Sequence, residues 1–321
     1  MTGVGWRWTF LLPVPIALGA LAAAYLLLPK DEPATEGGHD LFGAVFSTSA
    51  MLLLVYTVVS APEAGWTSAR TVLSFLGVAG LLAAFVAVES RVAHPLIRLG
   101  ILRKVSLMRA SLAIIAMGGS YFTFQFIATL YFQDTLGWSP LELALALLPV
   151  GLMVTASAFF SDRLVERFGT GAVIAVTLSV MAIGYFAFLR IDTSPSYAAV
   201  ILPAVLLIGI GWIGFPAVNI QATSGIDDHE QGLAAGVLQT SMQVGPALIL
   251  AVTTAMITSG SPATTPAEAL DAFRPGLVFA AAIATAGALV SILGLFLVRN
   301  RAVPEPEPLT DPAPEPALEA A

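Results

Sequence analysis

Nine long apolar segments joined by short polar connections constrain this chain more than any other feature. They run roughly over Trp8–Leu28, Leu41–Ala61, Val72–Val88, Ala110–Phe132, Leu141–Phe160, Gly171–Leu189, Tyr197–Ile220, Leu233–Ile257 and Pro275–Val298. A helix needs about 20 apolar residues to cross the hydrocarbon core of a bilayer, and it satisfies its own backbone groups while doing so. With a mean hydropathy of +0.86 and 11% charged residues, no water-soluble core has room for this much apolar surface. The expectation is an all-α polytopic protein of the cell membrane, with nine transmembrane helices and the lipid bilayer as its first partner.

Lys and Arg near helix ends favour the cytoplasm, whereas Asp and Glu say little. Threading nine spans sorts the basic residues onto alternate sides. One side collects Lys30, Arg91, Arg98, Arg103, Lys104, Arg109, Arg163, Arg167, Arg299 and Arg301, and the other only Arg7, Arg70, Arg190 and Arg274. The ten-residue side is therefore expected in the cytoplasm, which puts the N terminus outside and the C terminus inside. The acidic stretches Asp31–Asp40 and Asp227–Glu230 fall on the same side and carry little topogenic weight.

Composition removes several functions. The chain has no cysteine, which excludes disulfides, thiol catalysis and cysteine-based metal sites. Its formal charge of -7 argues against nucleic acid as a partner. Residues 301–321, rich in Pro, Glu and Ala, are too poor in apolar side chains to pack and are expected to be a disordered acidic cytoplasmic tail. His39, His94 and His229 all fall in connections, and no span holds a His/Asp/Glu cluster. An intramembrane enzyme is thus poorly supported, and neither a metal nor an organic cofactor is expected. The first span is longer than the apolar core of a cleaved signal peptide and carries Pro13 and Pro15.

The last six spans follow one another with short connections, after a long basic stretch from Glu89 to Arg109. Six helices are half of a major-facilitator transporter. The connection after the fifth span reads Asp162-Arg163-Leu164-Val165-Glu166-Arg167-Phe168-Gly169 and resembles the signature loop of the major facilitator superfamily, Gly-x-Leu-x-Asp-Arg-x-Gly. Leu164, Arg167 and Gly169 match, Glu166 stands for the family Asp, and Asp162 replaces the leading Gly. A carboxylate near a helix N-terminus beside an arginine suits a latch that exchanges partners as helices rock. The plainer reading is a solvated loop whose charges only fix topology.

The wider layout resembles the fourteen-helix drug:proton antiporters of that superfamily. Gly5-Trp6-Arg7-Trp8-Thr9-Phe10 with Pro13 and Pro15 is similar to the start of their sixth helix, and Val88-Glu89-Ser90-Arg91 with His94-Pro95-Leu96 to the end of their eighth. Leu130 to Glu142, leading into Leu147-Leu148-Pro149, resembles their ninth-to-tenth connection, and Gly232 to Ser241 the entry to their thirteenth helix. The resemblance runs from about Gly5 to Val298. It implies four parts: 1–29, the last helix of an N-terminal bundle missing from this chain; 30–90, two central linking helices; 91–300, the C-terminal six-helix bundle; and 301–321, the tail. It also implies that five helices are missing, with the first signature loop, the antiporter motif and any embedded coupling carboxylate. Gly245-Pro246 is either a pseudo-symmetric image of that antiporter motif or an ordinary kink.

Polar residues inside the spans are the remaining candidates. Asp134 and Glu142 fall at outer span ends, where an interfacial role is expected. Gln239 and Gln243 lie four apart on one helix face with Gly236, and Gln125 shares a face with Tyr121 and Thr129. Asn219 and Gln221 close the seventh span near Trp212 and Phe215. Amides among aromatics suit lipophilic or cationic compounds. The plainer reading is hydrogen bonding between helices, worth about 0.6 kcal/mol on average in a membrane. The substrate-cavity candidates are therefore Tyr121, Gln125, Asn219, Gln239 and Gln243.

The leading functional expectation is export of small molecules, energised by the proton gradient, by the C-terminal portion of a drug antiporter. The alternative is a non-transporting membrane scaffold, or a half-protein whose partner is a separate N-terminal half.

Overall fold

The structure, a computed structural model, describes residues 11–27, 41–92, 99–258 and 265–299. Within them the chain forms helices and no strand. Eight described helical spans are long and apolar enough to cross a membrane, and a ninth apolar helix, α1 (Pro13–Leu27), is 15 residues long. The start of the first span before Leu11, the loop 28–40, the motif residues His94-Pro95-Leu96 and the tail lie outside the described residues. The chain divides into two compact units, one holding α1 and the other beginning at Phe42.

In the larger unit, α2 (Leu41–Ala64) and α3 (Ala69–Glu89) form a helical hairpin. Ser68 caps α3 by accepting from the Thr71 amide at 3.3 Å, and Arg70 donates to the Tyr56 hydroxyl across the hairpin. The six-span bundle follows as α4 (Val105–Leu130), α5 (Pro140–Phe168), α6 (Thr170–Phe188), α7 (Leu202–Gly211), α8 (Phe215–Thr223), α9 (Asp228–Thr258) and α10 (Pro266–Arg299). The helices outrun the apolar segments: α5 continues eight residues past Phe160, and α10 starts nine before Pro275. Hydropathy marks the stretch that sits in hydrocarbon, while the helix continues into the polar interface.

The seventh span is not a single helix. A π-helical turn (Tyr197–Ile201) leads into α7, and a 3-10 turn (Trp212–Gly214) separates α7 from α8. Pro216 sits in the first turn of α8 and has no amide to donate, so the break falls where a continuous helix would lose a hydrogen bond. Gly211 and Gly214 let this break press onto α6, where a Cβ on Gly211 would stand 2.7 Å from Met181 Cβ.

The connection from α4 to α5 shows why its sequence reads as it does. A π-helical turn, Tyr131–Thr135, buries Tyr131 and Phe132. The Tyr131 hydroxyl donates to the Asp192 carbonyl at 2.6 Å, and Phe132 stacks on Trp138 with centroids 4.7 Å apart. Ser139 and Glu142 then close a capping box over the start of α5, with Pro140 in its first turn. Tyr131, Phe132, Trp138, Ser139, Pro140 and Glu142 thus have structural tasks, while Asp134 is exposed.

The helix α4 is the axis of the bundle. It packs on α8, α9 and α10, while α6 packs on α10 and α7, and α7 on α5. In its apolar window 61% of the residues are buried, against 17% in α5 and in α9. Phe124 meets Phe188 edge-on at 4.9 Å and Tyr185 at 5.8 Å to form the aromatic centre. The outer surface is apolar, with Phe159, Ile183 and Leu293 all more than half exposed, as a lipid-facing surface requires.

Candidate substrate-facing surface and signature turn

The helix α9 carries three stripes. Met242, Gly245, Pro246 and Ile249 face α4: Pro246 and Met242 close over Gly118, Gly245 meets Ile115, and Ile249 fills the space beside Gly119. Thr240, Val244, Ala247 and Ala251 point towards α2, across cavities of about 760 and 290 Å³. Gln239 and Gln243 lie between these stripes and are exposed. The helix runs unbroken from Asp228 to Thr258 through Pro246. Gly245-Pro246 is therefore a close crossing onto α4.

The neighbouring candidates sit on helices that touch α9. Gln125 on α4 and Asn219 on α8 are exposed, while Tyr121 is half-buried, edge-on to Trp212 at 5.1 Å. Trp212 in turn lies 5.8 Å from Phe215. The Asn219 amide donates to the Phe215 carbonyl of its own helix at 2.9 Å, and Thr129 donates to the Gln125 carbonyl at 2.8 Å. Among the described residues, no side-chain hydrogen bond joins Gln125, Asn219, Gln239 or Gln243 to another helix. Within the described bundle these amides therefore take no part in hydrogen bonding between helices. The interhelical side-chain pair in this region is Thr123 with Thr253, at 3.1 Å and buried. Gln221, two residues after Asn219 and so on a different face of α8, lines a cleft with Arg109 instead.

The signature residues form a helix end and a turn. Leu164, Glu166 and Arg167 all belong to α5, and Gly169 alone makes the turn into α6. Gly169 adopts φ 78°, a left-handed conformation that favours glycine, and its amide donates to the Val165 carbonyl at 2.8 Å. Leu164 packs against the core. Arg167 lies 5.2 Å over the Phe168 ring and sits in the last turn, where a cation suits the negative end of the helix dipole. The expected carboxylate near a helix N-terminus is corrected: Glu166 is in the last turn of α5, exposed, and among the described residues it makes no ion pair with Arg167. The pairing was expected from adjacency in sequence, and adjacent residues on a helix diverge.

The profile of the Major Facilitator Superfamily matches residues 1–250, well over half of the chain. The chain belongs to the Major Facilitator Superfamily. Among its relatives, the lincomycin resistance protein of Streptomyces lincolnensis is 31% identical over 77% of this chain and 51% of its own length. The cephamycin export protein of Amycolatopsis lactamdurans is 34% identical over 88% of this chain and 60% of its own length. The puromycin resistance protein of Streptomyces alboniger is 33% identical over 92% and 61%. The chain thus spans about half to three-fifths of the length of these superfamily relatives.

What the sequence pattern missed in this superfamily member is Trp212. In the sequence it is only an aromatic neighbour of Asn219 and Gln221, yet it is 8% exposed and its Nε1 has no hydrogen-bond partner among the described residues. A tryptophan beside two glycines and a proline in a span is the signal that marks it.

Proposed function

We propose that this chain forms the C-terminal part of a small-molecule exporter that expels lipophilic or cationic compounds in exchange for protons. The observation that carries the reading is the set of exposed amides on α4, α8 and α9, none of which bonds to another helix among the described residues. Polar side chains are costly against lipid and persist where they line a path for water or solute. Tyr121, Gln125, Asn219, Gln239 and Gln243 would form one wall of that path, with Tyr121 and Trp212 supplying aromatic surface. Relatives named for antibiotic resistance and export support the substrate class. In this reading the N terminus is outside and the C terminus is cytoplasmic.

The test is drug and dye accumulation in an efflux-deficient bacterium expressing the chain alone or with the N-terminal half of the cephamycin export protein. Lowered accumulation that a protonophore restores is the expected result. Unchanged accumulation in both settings, with the chain present in the membrane, favours the scaffold alternative.

A further inference from the structure

Beyond the positive charge it adds to the start of α4, Arg109 has surroundings that give it a second task. The starts of α4 and α6 and the ends of α8 and α10 meet around a cleft of about 360 Å³ at the bundle end that carries the signature turn. Arg109 is half-buried in its wall. Its guanidinium lies across Gly294, where a Cβ would stand 3.2 Å from both Cζ and Nε. Among the described residues no Asp or Glu lines the cleft, and Arg109 makes neither an ion pair nor a side-chain hydrogen bond.

A fixed guanidinium without a counter-charge, set in a low-dielectric groove, calls for an anion. The other polar groups suit the same occupant. Thr170 and Gly171 line the cleft and open α6, a 19-residue helix whose first amides no side chain caps. Gln221 adds an amide from α8. The rim is apolar and open: Val105, Val290 and Leu295 line the cleft and are 56%, 41% and 36% exposed. A free anion has no use for such a rim, whereas acyl chains would lie along it.

We propose that this cleft holds the phosphate of an anionic phospholipid. Arg109 donates two parallel N–H bonds to the phosphodiester oxygens, the geometry for which arginine is better shaped than lysine. The α6 amides complete the cradle, and the acyl chains run over Val105, Val290 and Leu295. Each lining group belongs to the six-span bundle, so the site is independent of the transport reading above.

Native mass spectrometry of the whole chain in detergent, titrated with phosphatidylglycerol or phosphatidylcholine, tests this directly. The expected result is preferential retention of phosphatidylglycerol. Arg109→Gln should lower that retention roughly fivefold, the scale of one arginine facing an anionic lipid surface. Gly294→Val keeps the charge but fills the cradle, and should lower retention as well. Arg163→Gln, an exposed cation at the same end, should leave it unchanged. Equal retention of the two lipids, or retention unaffected by both Arg109→Gln and Gly294→Val, overturns the proposal. Arg109-dependent binding of inorganic phosphate with no retained phosphatidylglycerol overturns the lipid assignment.

Discussion

Pro246 of α9 and Gly118 of α4 approach so closely that a Cβ on Gly118 would stand 2.9 Å from Pro246 Cγ. Gly119 is closed in the same way by Ile249, so two consecutive glycines let α4 and α9 cross with little between their backbones.

Gly118→Val should therefore destabilise the bundle by about 1–3 kcal/mol, the usual cost of overpacking a filled site. Gly236→Ala is the control, because a Cβ there meets nothing within 4 Å. Thermal unfolding of the purified chain should show a clear loss for the first and no loss, or a small gain from the better helix former, for the second. Equal behaviour of the two would contradict the crossing.

Thr123 and Thr253 share a buried hydrogen bond at 3.1 Å between α4 and α9. A double-mutant cycle with Thr123→Val and Thr253→Val should give a coupling of about 0.6 kcal/mol, the average for such bonds in a membrane. No coupling would mean that the two hydroxyls are satisfied separately by their own helices.

Since the chain has no cysteine, orientation can be read without removing any. Ser194→Cys, exposed between α6 and α7, should react with an impermeant maleimide in intact cells. Arg163→Cys, exposed near the signature turn, should react only after the membrane is opened. The reverse pattern would overturn the outside placement of the N terminus.

The spans were legible because hydrocarbon demands a long apolar run, whatever the partners of that run. Which way each helix faces was less so. Gly232 and Gly236 are spaced like a packing motif, yet a Cβ on either meets nothing within 4 Å. The close crossing uses Gly118, Gly119 and Gly245 instead, and small residues four apart do not say which side holds a neighbour. The π-helical turn at Tyr131–Thr135 left no local mark either, because it is set by what Tyr131 and Phe132 reach: the Asp192 carbonyl and the Trp138 ring. For the candidate wall, spacing put Gln239 and Gln243 on one face, and only the packing of α9 on α4 showed that face to be exposed.

The Gln239/Gln243 face is the centre of the functional account, and dye export measures it most directly. Where the chain, alone or with a companion N-terminal half, lowers dye accumulation, Gln239→Ala with Gln243→Ala should weaken export about fivefold or more at equal membrane abundance, the scale of losing about 1 kcal/mol of polar contact. Unchanged export across several chemically distinct dyes would contradict the account.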